Sequence, residues 1–141
     1  MGWWSSTIMG GDPPMDREVA FEKVAGVSCL RDELLTKELV NLHLNGFIER
    51  IKKDKFDPEI GWQVLGVIIM RTGATMPENV RKQLLKNAID TNIEGWTEPE
   101  ERKAYLEDFK EKVTNYKNGE ITEVVSEGLM EKIYKTLGGE A

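Results

Sequence analysis

The sequence predicts a mainly α-helical fold: a single compact bundle of five or six helices with an ordered tryptophan-rich N-terminal arm. Three observations predict it. Apolar residues recur at spacings of three and four through most of the chain, residues that start and stop helices punctuate those runs, and 141 residues with a mass of 16.0 kDa suit one domain.

The arm comes first. Trp3 and Trp4 are adjacent, so in an extended chain their indoles point to opposite faces, each able to bury about 150–250 Å². Leaving both in water would forfeit several kcal/mol at about 25 cal/mol per Å², so this end is expected to be held against the core. Gly10-Gly11 frees the backbone, and Asp12 is expected to cap a first helix from Pro13 to Ala25, where proline in the first turn needs no donor. Three functional readings compete with this structural one. Asp12 and Asp16 are two oxygen ligands for a hard cation, Gly10-Gly11 ahead of a helix start is an anion cradle, and Gly2 with Ser6 fits a loose myristoylation pattern.

Gly26 is the expected stop of the first helix and Ser28 the expected start of the next. From Leu30 to Ile51 the residues favour helix, ended or kinked at Gly46. Val40, Leu42 and Leu44 alternate with polar residues and lead into Asn45-Gly46, so a short β-hairpin over 40–51 is the alternative reading. As a helix this stretch has two apolar faces, Leu35, Leu39 and Leu42 on one and Val40, Leu44, Phe47 and Ile51 on the other. Arg50, Lys52, Lys53 and Lys55 form the basic cluster of the chain, read as a solvated helix end or as an edge facing phosphate.

Asp57-Pro58 opens a helix to Arg71 that is apolar all round and so is expected at the centre of the bundle. Pro77 opens an amphipathic helix to Asn92, with Val80, Leu84, Leu85, Ala88 and Ile89 inward. Thr97 and Glu100 read as a capping box for a helix whose Leu106, Phe109, Val113 and Tyr116 form one narrow seam. Ile121 to Leu137 reads as a last helix. Together 97–137 would make a helical hairpin, which is also the candidate homodimer interface.

The opening resembles a family of small bacterial and phage proteins that begin Met-Gly-x-Trp-Gly, continue to a Phe-x-Asn-Asp-like element and enter a helix carrying a further Asp. Gly2, Trp3 or Trp4, Gly11-Asp12 and Asp16 occupy the matching positions, and Gly61 to Ile89 is similar in layout, so the resemblance spans about half the chain. Ser5 and Gly11 stand where the family has its second glycine and its Asn-Asp pair. The family has no established activity, so the resemblance implies a mainly helical cytoplasmic protein and no particular chemistry.

A net charge of -6 disfavours nucleic acid as a partner, since a phosphate backbone meets net repulsion. The single cysteine, Cys29, cannot close an internal disulfide and no secretory signal is evident, so the cytoplasm is the expected compartment. The longest apolar run, Trp62 to Met70, is too short to cross a bilayer, so no membrane partner is expected. His43 is the only histidine, and nothing in the sequence selects a carboxylate pair from 25 acidic residues. The expectation is a noncatalytic protein-binding or regulatory module without cofactor, meeting a protein partner or a second copy. Its candidate contact residues are Trp3, Trp4, Asp12, Asp16 and Trp96. The rivals are a small metal-dependent enzyme using Asp12, Asp16 and His43, and a phage accessory or host-interaction protein.

Overall fold

The computed structural model describes residues 7–28, 31, 33–90, 93–96 and 98–124. Trp3, Trp4, Cys29, Thr97 and residues 125–141 lie outside these, and with them the tryptophan-rich part of the arm, the Thr97 cap and most of the expected last helix. Five helices are formed among the described residues: α1 (Asp12–Ala25), α2 (Lys37–Lys52), α3 (Pro58–Thr72), α4 (Glu78–Lys86) and α5 (Pro99–Asn115). A 3-10 turn at Ile93–Gly95 joins the last two, and no strand occurs among the described residues.

α3 is the axis of the bundle. Every residue from Gly61 to Met70 is buried, because a helix with apolar groups on all sides can shed water only when neighbours cover all of them. α1 and α2 pack on α3 and on each other, while α4 packs on α3 and on α5. The α1–α2 contact centres on Phe21 and Phe47, whose ring centroids lie 5.1 Å apart at 52°. Such a tilted pair adds about 0.5–1.5 kcal/mol to the burial of its area.

Within this frame α2 settles the ambiguity at 40–51. The helix runs unbroken through Asn45-Gly46, so there is neither a hairpin nor a stop. Gly46 is present for a steric reason: a Cβ there would lie 2.8 Å from Val24 Cγ1 of α1. Of the two apolar faces, the one with Val40, Phe47 and Ile51 is buried, and Leu42 is left 75 % exposed. The helix also starts later than expected. The Ser28 N–H donates to Glu33 Oε1, which holds Arg31 as well; Thr36 then caps α2 by accepting from the Leu39 N–H.

Three other boundaries differ from expectation. Asp12 is the first residue of α1 rather than its cap; extended Gly11 occupies the cap position and no side chain caps the helix. α4 ends at Lys86 instead of Asn92, because the Asn87 amide turns back to the Gln83 carbonyl and Gln63 Nε2 of α3 donates to both the Asn87 and Ile89 carbonyls. Residues 121–124 do not begin a helix. The Thr122 N–H donates to the Met70 carbonyl at 2.7 Å, which draws the chain along the end of α3 and satisfies an acceptor that the helix itself leaves unpaired.

The seam of α5 is used within the chain: Leu106, Phe109, Val113 and Tyr116 are all buried. Phe109 lies against Gly66 of α3, where a Cβ would come within 2.6 Å of the ring and 3.3 Å of Leu84 Cδ2. The three helices converge there because one residue has no side chain.

One buried polar node ties the N-terminal segment to the helices. Arg102 of α5 is 1 % exposed. Its Nη1 donates to the Thr7 carbonyl at 2.9 Å, its Nε to Asp90 Oδ2 at 3.2 Å and its Nη2 to Gln63 Oε1 at 3.4 Å, while its guanidinium carbon sits 4.5 Å from the Trp96 ring centroid. Burial pushes the guanidinium below its ordinary pKa, and the Asp90 charge opposes that shift. Ile8 and Met9, next to Thr7, are buried in the core.

Two outcomes follow. Arg102→Leu is expected to lose about 3–5 kcal/mol in urea unfolding, because it takes the cation from the Asp90 carboxylate and the donors from the Thr7 carbonyl and Gln63 Oε1, and Arg102→Lys to recover only part of that, lacking the planar fork. Gly66→Ala is expected to destabilise the protein in the same measurement, since overpacking at about 1–3 kcal/mol exceeds a helix-propensity gain of about 1 kcal/mol.

Candidate functional site

The basic cluster lies at the end of α2, where the chain must turn into α3. Asp54 makes that turn. Its Oδ1 accepts the Phe56 N–H at 2.9 Å and the Asp57 N–H at 3.2 Å, and its Oδ2 takes Arg17 Nη2 of α1 at 2.7 Å. Burial alone would raise the Asp54 carboxyl, but the two backbone donors and then the Arg17 charge outweigh it and hold the pKa below the ordinary value of 3.8. Held this way, the turn presents Phe56 to solvent, 88 % exposed, the most exposed of the large apolar side chains described.

A cleft of about 330 Å³ opens beside it, between α1 and the end of α2. Ala20, Phe21, Ile51 and Gly61 make its apolar lining, and Phe56 lines it too. Its charged lining is Arg50, Lys53 and Lys55 against Asp16, together with the Arg17–Asp54 pair. Arg17 also donates Nη1 to the Pro13 carbonyl, and its Nε is buried without an acceptor. Of the arginines in the sequence, the five at 17, 31, 71, 81 and 102 each pair with a carboxylate; among the described residues Arg50 does not. In a chain with more acids than bases, an exposed arginine beside two lysines, none of them ion-paired among the described residues, marks a place able to take an anion.

The residues singled out by sequence do not meet at one point. Asp16 is exposed on the wall of the cleft, whereas Asp12 lies a turn earlier on α1. His43 lies towards the other end of the helix pair. Gly46 of α2 meets Val24 of α1 while Arg17 of α1 meets Asp54 just past α2, so α1 and α2 run antiparallel and His43 stands about 20 Å from Asp12 by helical rise. The three groups of the metal-dependent reading are thus spread along the helices, and the described residues contain no cluster of three or more acidic, histidine or cysteine side chains that could hold a metal. Gly10 and Gly11 are buried. Trp96 is half-buried in the node, its indole N–H donating to Asp90 Oδ2 at 2.6 Å and its ring lying against Arg102. Trp3 and Trp4 are outside the described residues.

Sequence reasoning found the cations but missed Arg17, Asp54 and Phe56. The signal was present in Asp54-Lys55-Phe56-Asp57-Pro58, a turn-forming acid followed by a proline that fixes a helix start, with an aromatic between charged residues that no apolar periodicity claims. No family model, curated protein or solved structure matches the chain. Among the described residues no helix is long and apolar enough to cross a membrane.

The depressed carboxyl of Asp54 gives a sign. Its contribution to stability is present above the unfolded-state pKa and is lost as pH falls through the lower folded-state value. Glu59 has the opposite sign: burial first, then the charges of Asp57, Asp90 and Asp54, raise its carboxyl above the ordinary 4.5, so its contribution is lost as pH rises. Asp54→Asn is expected to lower stability by about 1–2 kcal/mol at neutral pH through weakened hydrogen bonds and the lost ion pair. Paired thermal melts of wild type and variant should converge as the pH is taken below 3.8.

Proposed function

We propose that the protein is a noncatalytic protein-binding module, and that it meets its partner at the cleft rimmed by Phe56 and Arg50. The observation that carries this reading is the pairing of an 88 % exposed phenylalanine with an arginine that has no carboxylate partner among the described residues. Aromatic and arginine side chains dominate binding energy at protein interfaces, because each combines a large contact area with few lost degrees of freedom or with directed hydrogen bonds. Phe56 also stands on a turn fixed by three hydrogen bonds to one carboxylate, so less ordering remains to be done on binding. The resemblance of the opening residues to a bacterial and phage family is compatible with an accessory or host-interaction setting for such a module.

The test is quantitative capture from a lysate of the encoding organism with wild type and Phe56→Ser. Loss of about 2 kcal/mol on removing an interfacial anchor corresponds to a more than tenfold fall in affinity for a specifically retained protein. The melting temperature should be almost unchanged, since Phe56 is exposed. Equal retention of the same partner by both forms would sink the reading.

A further inference from the structure

The cleft does not end at the foot of α1. Asp16, Ala20 and Arg50 also line a second depression, which continues past Val19 to Lys23 and Val24. The two form one groove along the α1–α2 seam, with Arg50 on the wall of both. Its apolar residues are Ala20, Val24 and the 39 % exposed Val19, and Phe56 stands at the far end. Along it stand the cations Lys23, Arg50, Lys53 and Lys55, none ion-paired among the described residues, against the single unpaired carboxylate of Asp16. From Asp16 to Val24 the α1 wall is about 12 Å long at the helical rise of 1.5 Å per residue. An extended peptide covers about 3.3 Å per residue, so this wall accommodates about four residues and the Phe56 turn one or two more.

We infer that the occupant of this groove is an acidic linear segment of the partner protein, laid extended along α1 with Asp or Glu side chains facing Arg50 and the lysines and with apolar side chains on Val19, Ala20 and Val24. The inference rests on the protein-binding reading and adds the chemistry of the partner. Charge complementarity selects the occupant: the chain is acidic overall, so an acidic segment is repelled elsewhere on its surface and drawn to this groove. A basic or neutral segment would leave Arg50 unpaired.

The full chain, immobilised, would be used to select from a displayed library of random dodecapeptides. The expected result is enrichment of sequences with a clear excess of Asp and Glu over Lys and Arg together with apolar residues, binding that weakens as salt is raised, and a loss of about tenfold or more with Arg50→Glu. Arg50 is exposed, so that variant should fold; Val19→Asp, which places a carboxylate in the groove, is the second variant and should weaken the same peptides. Neutral or basic consensus sequences, peptides held equally by Arg50→Glu, or no enrichment at all would each overturn the inference. If Phe56→Ser still costs the natural partner its retention in those cases, the protein-binding reading stands and only the acidic segment falls. Should acidic peptides depend on Arg50 while the natural partner ignores Phe56, the groove stands and the placement of the partner at Phe56 fails.

Discussion

A guanidinium taken out of water joins four separate parts of this bundle. Burying Arg102 is unfavourable unless each face of its fork finds a partner, and the fold supplies one from each direction: the Thr7 carbonyl, the Gln63 side chain on α3, Asp90 after α4 and the Trp96 ring. These groups come from positions as far apart in sequence as 7 and 102, so the node can form only when the N-terminal segment, α3, the α4–α5 connection and α5 are all in place. Apolar burial drives the helices together, and the close approaches at Gly46 and Gly66 limit how they can rotate and slide. Directional bonds to a buried charge add a further restriction, since they are made only where the donors and acceptors meet.

The candidate binding surface shares no residue with this node. Gln63, which closes the node on one side, clamps the end of α4 with its amide and so fixes the helices on one flank of α3. The other flank is the α1–α2 pair, joined by Phe21 and Phe47 and by the close approach of Gly46 to Val24. Where α2 ends, the chain must reverse direction over a short connection, and Asp54 closes it with backbone bonds and the Arg17 pair. A tight reversal leaves no room to tuck a large side chain beneath it. Phe56 therefore remains outside, on a support that is rigid for the same reason.

Much of the architecture was legible from periodicity. The largely apolar stretch 61–70, with Gln63 its one polar residue, had to be central, and the 106/109/113/116 seam had to be covered; both are buried. What periodicity could not supply was the competition for backbone groups. Apolar spacing runs on past Lys86, yet α4 stops there, where the Asn87 amide turns back to Gln83 and an amide on α3, far away in sequence, takes the Asn87 and Ile89 carbonyls. Gly46 reads as a turn in sequence and as a close helix contact in space, since the residue that excludes a side chain there is Val24, on another helix. Nothing local marks Arg102 as buried, because its partners are assembled only by the tertiary fold.

The same contrast separates the two kinds of charge in this protein. Arg102, Arg17 and Arg81 have been drawn into bonds with backbone carbonyls as well as carboxylates, so their charges are spent on holding segments in place. Arg50, Lys53 and Lys55 have no such bonds among the described residues and are exposed. Folding does not require them at that density beside a solvent-exposed phenylalanine; like charges close together repel, and an exposed aromatic forfeits its burial energy. An anionic apolar segment laid against the groove would relieve both at once, by neutralising the cations and covering the ring. The free protein thus holds, on one side of α1, a surface whose unfavourable features share a single remedy, and that coincidence distinguishes it from α5, where Lys103, Lys110 and Lys112 each pair with an acid one turn away.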